Sequence, residues 1–454
     1  MEGQNTRVKL GFVPSHRRMF KRSESWAKEL RDRTLQILRE ISFLEVIAPD
    51  ENLTGNGLVQ TDEDAEKVIR LFKGNCVDGI IIEAVDFGDE VSAALVASAL
   101  SKPVILFATR EPPFTAEGER ISDSFCGTIS IGSALYRRKI PFVWGGVVFP
   151  EEKEFRESIE NFARTCTIVN GFLKARIGLV GPRPESFETC ALDEVTLIRA
   201  FNQRVIPISL VEAGALAENI NVQEINRIMQ SIRSEADTST INEETLVKIA
   251  RLEFCLLALA DKWRLDAMGI QCWGPMHRVF GIAPCHVSGR LVDQGIMVSC
   301  EADILGALTM LIQYLASFRK TPPHFVDWTV QHQEKENVFL AWHCGNAPPS
   351  LANDKARINQ NGMGTFQLKP GIVTINRLAE YEGKFKMLMT MGRILESRQN
   401  LQGTWAWVEV PDLKRLYEAI LKNGFTHHAS MIHGDYTRPI QDACEILGIE
   451  IVKV

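Results

Sequence analysis

Along the first 150 residues, unbroken apolar runs alternate with segments whose apolar residues recur every third or fourth position. VKLGFV (8–13), FLEVIA (43–48), GIIIEA (79–84), PVILFA (103–108) and PFVWGGVV (141–148) have the length and continuity of strands buried on both faces. Between them, 22–41, 62–75 and 89–101 carry helical spacing. Such alternation predicts a parallel sheet covered on both sides. The layout restarts at ARIGLVG (175–181). It continues through a helix near 185–201, VIPISLVE (205–212), helices at 222–235 and 243–266, and MGIQCW (268–273). GIMVSC (295–300), a helix near 303–318, HFV (324–326) and VFLAW (338–342) complete it. No sequence repeat links the two units. From about 346, Gly, Pro and Asn cluster (GNAPPSLAND, NQNGMG). FQLKPGIVTINRL, KFKMLMTMGRIL and GTWAWVEV then read as antiparallel strands, before a closing helix–strand–helix–strand. The predicted fold class is α/β: two consecutive parallel-sheet α/β domains, 1–170 and 171–345, followed by a β-rich, barrel-like C-terminal domain, 346–454.

Composition narrows the function classes. The 454 residues are 45% hydrophobic and 24% charged, as in ordinary globular proteins. A net charge of -6 leaves no basic excess for nucleic-acid phosphates, so no nucleic-acid partner is expected. MEGQNTRVKLGF lacks the apolar stretch of a signal peptide, and no run reaches the roughly 20 apolar residues of a membrane span. The ten cysteines form no C-x-x-C pair, and most sit in apolar runs such as LEFCLL and MVSCEA. They are expected to be reduced, buried thiols of a cytoplasmic protein.

Three strands of the second unit end in a polar residue: GIMVSC before Glu301, HFV before Asp327 and VFLAW before His343. Ligands of parallel α/β sheets bind beyond the carboxyl ends of the strands. Two carboxylates and an imidazole delivered to one edge would suit a divalent metal, Mn²⁺ or Mg²⁺ for the oxygens and Mn²⁺, Co²⁺ or Fe²⁺ once an imidazole joins. Against this, Glu301 or Asp303 would serve equally as a cap on the helix beginning near 303, and Asp327 and His343 as hydrogen-bonded loop residues. Of His427 and His428, adjacent on a short strand, at most one faces a given site. His16, His277, His286, His324, His332 and His433 are expected to be hydrogen-bonded surface or core residues. Arg17, Arg18, Lys21 and Arg22 are either a solvated helix face or a clamp for an anion or polyol. GLVGPRPESF (178–187), with Arg183, reads as a strand-to-loop turn that brings backbone amides to a ligand. It contains neither G-x-G-x-x-G nor G-x-x-x-x-G-K-[ST].

Several of these segments together resemble the L-fucose isomerase and L-arabinose isomerase superfamily of metal-dependent aldose–ketose isomerases. CEADILGALTML is similar to the family segment in which a Glu, and an acid two residues later, open a helix containing G-A-x-T-M-L. HFVDW resembles its next strand, and GFTHHASMIHG its C-terminal histidine segment. GFVPSHRRMFKRSESW is similar to its N-terminal arginine motif, and GLVGPRPESFETC to the start of its second domain. The resemblance spans the chain. It implies that Glu301 and Asp327 bind metal and shuttle the proton, and that His428 is the imidazole ligand. Asp303 would be a helix cap or a support for the ligands. His343 takes the place of a further histidine of arabinose isomerases, as a ligand or a substrate contact. Arg17, Arg18 and Arg183 would contact substrate. The implied reaction passes through a metal-bound cis-enediolate with Mn²⁺, for which Co²⁺ or Mg²⁺ can substitute. The implied substrate is an L-fucose- or arabinose-type sugar, and the implied assembly a trimer or hexamer with sites between subunits. The arginines motivate a second substrate class, an anionic sugar, either phosphorylated or sulfonated such as sulfoquinovose. A third reading is a non-catalytic sugar-binding or regulatory protein.

Overall fold

The computed structural model describes residues 7–18, 23–218 and 220–454, so Lys21 and Arg22 lie outside the described residues. The chain divides into two compact units, Met1–Asn170 and Gly171–Val454. In the first, β1 (Val8–Ser15), β2 (Leu44–Ile47), β3 (Gly79–Ala84), β4 (Val104–Ala108) and β5 (Val143–Val147) form a parallel sheet in the order β2-β1-β3-β4-β5. The predicted strands are all present. Their continuous apolar character is explained by burial: every residue of β3 and β4 is buried. Two of the intervening helices, Asp62–Asn75 and Glu90–Leu100, start on side-chain caps: Thr61 accepts from the Asp64 amide at 3.1 Å and Asp89 from the Ser92 amide at 2.8 Å.

The second unit opens with β6 (Arg176–Val180), β7 (Arg204–Ile208), β8 (Ala236–Asp237), β9 (Ala267–Ile270) and β10 (Met297–Ser299). All but β8 make a parallel sheet in the order β10-β9-β6-β7. There follow β11 (His324–Gln331), β12 (Val338–His343), β13 (Ala356–Arg357), β14 (Phe366–Gln367), β15 (Gly371–Tyr381), β16 (Lys384–Ile394), β17 (Thr404–Glu409), β18 (His428–His433) and β19 (Glu450–Lys453). Six of these close an antiparallel barrel in the order β17-β12-β11-β18-β15-β16, with β16 returning to β17. The short β14 and β19 add to its strands in parallel.

One expectation is corrected here. HFV and VFLAW do not continue the second parallel unit; they belong to β11 and β12, an antiparallel pair of the barrel. Only residues 332–337 separate the two strands. A parallel pair needs a crossover of about a dozen residues or more, so that spacing permits only a hairpin.

The helix Ile304–Ala316 joins the two layers of this unit. It lies against β9 and β10 on one side and β15 and β18 on the other. All of its residues except Tyr314 are buried, which explains why its sequence is apolar around the whole circumference. Its few polar groups are bonded to the barrel. Gln313 Nε2 donates to the carbonyl of Ser430 at 2.9 Å, and Thr309 Oγ1 accepts from the Leu378 amide at 3.0 Å.

Candidate active site

Glu301 occupies the turn between β10 and this helix. Glu301 and Ala302 both adopt left-handed backbone conformations, with φ of 53° and 57°. Two consecutive non-glycine residues in that region store strain, which persists only where surrounding structure imposes it. Here the Ala302 amide donates to the Ile270 carbonyl at 3.0 Å. The turn lies so close to β9 that a Cβ on Gly269 would stand 2.9 Å from the Ala302 carbonyl carbon. Glu301 is thereby pointed into the unit rather than along the strand. Its Oε1 accepts from Trp273 Nε1 at 3.1 Å and from the Cys272 thiol at 3.2 Å. Its Oε2 is buried and has no hydrogen-bond partner.

The barrel brings three side chains to that oxygen. In register, Asp327 on β11 pairs with Trp342 of β12 on one side and with His428 of β18 on the other. His343, the last residue of β12, and His428, the first of β18, therefore flank it. His343 Nε2 lies 3.6 Å from Glu301 Oε2 and 4.0 Å from Asp327 Oδ1. The corresponding distances for His428 Nε2 are 3.7 and 3.8 Å. Asp327 Oδ1 also lacks a hydrogen-bond partner. The expected residues converge, although by a different route from that expected. Only Glu301 follows a parallel strand; Asp327 lies within an antiparallel one.

Two buried carboxylate oxygens without hydrogen bonds, facing two imidazole nitrogens, would be costly if left so. They match the donor set of a divalent ion with mixed oxygen and nitrogen ligation. Without an ion, the His343 imidazole supplies positive charge. Burial pushes the Glu301 carboxyl up, but the His343 imidazole facing it at 3.6 Å and the charge of His428 outweigh it and hold the group at about 2. Burial lowers the His343 imidazole, yet the neighbouring Cys344 and Glu301 side chains and the charge of Asp327 raise it well above its ordinary value.

Asp303 caps the helix and also holds His428. It accepts from the Gly306 amide at 2.9 Å, from His428 Nδ1 at 2.8 Å and from both Nη atoms of Arg377, with Nη2 at 3.1 Å. Burial opposes its charge, but Arg377 first and His428 second hold its carboxyl well below the usual range. An ionised carboxylate only accepts, so His428 must donate from Nδ1, and in the neutral imidazole Nε2 is then the lone-pair nitrogen that faces Glu301 and Asp327. Gly306 gives the ion pair its space: a Cβ there would stand 2.8 Å from Asp303 Oδ2 and 3.0 Å from Arg377 Nη1. Cys190, Asp303 and His428 also lie within metal-ligand spacing of one another. The Arg377 guanidinium already balances that carboxylate, which disfavours a cation there.

Phe325 lies against both imidazoles, with ring centroids 5.5 Å from His343 and 4.8 Å from His428. His427 is exposed to solvent at one side of the site, and the partial burial of its ring, with the neighbouring His428, pushes its pKa down. The segment after β6 reaches the site through side chains, with Phe187 5.1 Å from Trp273 and 5.5 Å from His427 between centroids. Arg183 on that segment donates to its neighbour's carbonyl at 3.3 Å and shows no bond to the cluster. Arg17 and Arg18 lie in the first unit. Arg17 donates to Asp89 at 3.2 Å and lies over the Phe87 ring; Arg18 donates to Glu24 at 3.0 Å. Sequence reasoning missed Arg377, Cys272 and Trp273. Only Arg377 carried a signal, as a lone charge in the apolar run GIVTINRL. His286 and His324 differ from expectation: neither has a hydrogen-bond partner among the described residues. Burial keeps them neutral and pushes His286 down to about 3.

Residues 11–173 match the family described as fucose/sulfoquinovose isomerase, N-terminal domain, and residues 342–454 the one described as L-fucose isomerase, C-terminal domain. A protein of Priestia aryabhattai named sulfoquinovose isomerase is 27% identical over 98% of this chain and 99% of its own length. Proteins of the same name from Alkalicoccus urumqiensis and a Clostridium species are each 24% identical, over 83% of this chain and 86% of theirs.

Proposed function

The chain belongs to the L-fucose isomerase superfamily and is an aldose–ketose isomerase, and from that premise we propose that its substrate is a sulfonated hexose of the sulfoquinovose type. The reading rests chiefly on relatives of that name covering almost the whole chain, which favours the anionic sugar over an L-fucose- or arabinose-type one. Glu301, Asp327 and His428 hold the divalent ion, and His343 completes the donor set or meets the sugar. The observation that carries this is the pair of unpartnered carboxylate oxygens facing the two Nε2 atoms. Manganese suits that mixture best, with cobalt or magnesium as substitutes. When bound, the ion polarises the sugar's carbonyl oxygen and stabilises the charge that develops on it as the neighbouring C–H proton leaves.

The remaining steps belong to the side chains. One of Glu301 and Asp327 takes the proton from C2 of the open-chain aldose and a carboxylate of the pair returns it to C1, while the O2 hydroxyl proton passes to O1 so that C2 becomes the carbonyl. Cys272 and Trp273 fix one oxygen of Glu301 and leave the other for this work. Asp303 and Arg377 keep His428 in the tautomer that accepts. Arg17, Arg18 and Arg183 take the sulfonate, since a guanidinium has five donors and those shown here use few of them. The proposal includes a homo-oligomer, a trimer or hexamer, in which Arg17 and Arg18 serve a neighbouring subunit. It also includes a cytoplasmic location, in keeping with ten free cysteines. No described helix is long and apolar enough to cross a membrane.

The test compares sulfoquinovose, L-fucose and L-arabinose as substrates of chelated and manganese-reloaded protein. The sulfonated sugar should be converted at the highest kcat/KM, and only by reloaded protein. Arg17→Ala or Arg18→Ala should raise its KM roughly 10- to 150-fold, the scale of a lost charge-assisted contact, with little effect on a neutral sugar. Faster conversion of L-fucose would remove the sulfonated substrate; full activity after chelation would remove the ion.

A further inference from the structure

The two oxygens of Glu301 face different chemistry. Oε2 turns to the imidazoles, whereas Oε1 accepts from the Cys272 thiol at 3.2 Å. Cys300, the residue before Glu301, brings a second sulfur to the same place. One ligand atom from each of Cys272, Cys300 and Glu301 lies within 4.8 Å of the other two, and all three residues are buried. Asn346 Nδ2 donates to the Cys300 sulfur at 3.4 Å and orients it. The isomerisation uses neither sulfur to bind an ion.

Zinc binds thiolate sulfur at about 2.3 Å and carboxylate oxygen at about 2.0–2.2 Å, so tetrahedral geometry separates the two sulfurs by about 3.8 Å and sulfur from oxygen by about 3.5 Å. The triangle here reaches those spacings with shifts of about 1 Å or less, and its Cys272–Glu301 edge is already 3.2 Å. The donor set is also selective. Magnesium prefers oxygen, and manganese takes oxygen with some imidazole; zinc and cadmium take thiolates.

We propose that Cys272, Cys300 and Glu301 form a second metal site, specific for a thiophilic divalent ion, on the side of the Glu301 carboxylate away from the imidazoles. On binding, two S–H bonds break, two sulfur–metal bonds form, and two protons pass to solvent; nothing is oxidised or reduced. The ion takes Oε1 from the Cys272 and Trp273 hydrogen bonds that fix it and draws charge from the carboxylate, so its binding weakens Oε2 as a ligand and base of the sugar site and lowers turnover. The loss of turnover rests on the isomerase reading above, but binding of the ion does not.

The manganese-loaded protein is titrated with cadmium chloride while ultraviolet difference absorption, metal content and proton release are followed. The expected result is one cadmium per chain, a thiolate-to-cadmium charge-transfer band, about two protons released as two thiols ionise, and loss of isomerase activity. Cys272→Ser and Cys300→Ser should each weaken cadmium binding by about 10-fold or more and reduce the band, while Cys166→Ser, in the first unit, leaves both as they were. Cadmium NMR on the wild-type chain reads the number of bound sulfurs directly and does not depend on any variant folding. Two sulfurs support the site. Cadmium that enters without the band, by displacing manganese, overturns it, as does a band that persists in both serine variants. A band in manganese-loaded protein that showed no isomerase activity before cadmium was added leaves this site standing and removes the sugar reading instead; protein that is active before and after cadmium and shows no band does the reverse.

Discussion

Each unit of the chain contains a fully buried histidine held through Nδ1 by a buried aspartate. In the first unit, His16 Nδ1 lies 2.7 Å from Asp86, just beyond the ends of β1 and β3. In the second, His428 Nδ1 lies 2.8 Å from Asp303. The pairs differ in what surrounds them. Asp86 is balanced by backbone, accepting from the amides of Arg17 at 3.1 Å and Gly88 at 2.9 Å, and His16 Nε2 meets no hydrogen-bond partner among the described residues. Asp303 is balanced by the Arg377 guanidinium, and His428 Nε2 faces Glu301 and Asp327. A His–Asp pair by itself therefore says little about function. On the proposed reading, carboxylates opposite the second ring nitrogen are what make an oriented imidazole a candidate metal ligand, and a buried cation behind the aspartate keeps that orientation fixed.

The comparison breaks most readily at Asp303. Asp303→Ala should lower unfolding free energy by about 3–5 kcal/mol, because it leaves the Arg377 guanidinium buried without its partner. Denaturant unfolding checks this; a loss below about 1 kcal/mol, typical of a cap alone, would reduce Asp303 to a cap. Glu301→Gln comes next. It keeps the shape of the turn but removes the charge, so turnover should fall at least about 10²-fold, and metal analysis should show weaker binding. Asp86→Asn should cost about 1.5–3 kcal/mol, the scale of hydrogen bonds to a charged group, with manganese content unchanged. Manganese loss in that variant would mean that the two pairs are not distinct in role. The smallest effect is on acid stability. The Glu301 carboxyl is held at about 2 against an ordinary 4.5 in the ion-free protein. Its contribution is therefore complete above 4.5 and lost as pH falls toward 2. Chelated Glu301→Gln should show a shallower decline in stability across that window than chelated wild type, as measured by denaturant midpoints; parallel declines would assign the acid sensitivity to other groups.

The first sheet was legible almost to the residue, since strands buried on both faces must be apolar throughout and the helices between them must be amphipathic. Glu301 was visible for a related reason: a charge ending an apolar strand has to be accounted for. His428 and the doubling of Asp303 as cap and imidazole partner came from resemblance or from coordinates, because neither leaves a periodic trace. The expectation of one parallel edge for Glu301, Asp327 and His343 named residues that do converge, but on the wrong topology. Local pattern reports whether a strand is buried, but it does not report the direction of its neighbour.

Which elements exist, and where charge interrupts them, follows from the order of residues alone, because burial and helical or strand periodicity act over a few neighbours. The closure of the barrel is a different matter. It sets Asp327 between His343 and His428, and it carries Arg377 to Asp303 across 74 positions of chain. Such meetings depend on strand register, which every residue of a sheet shares and no single segment encodes.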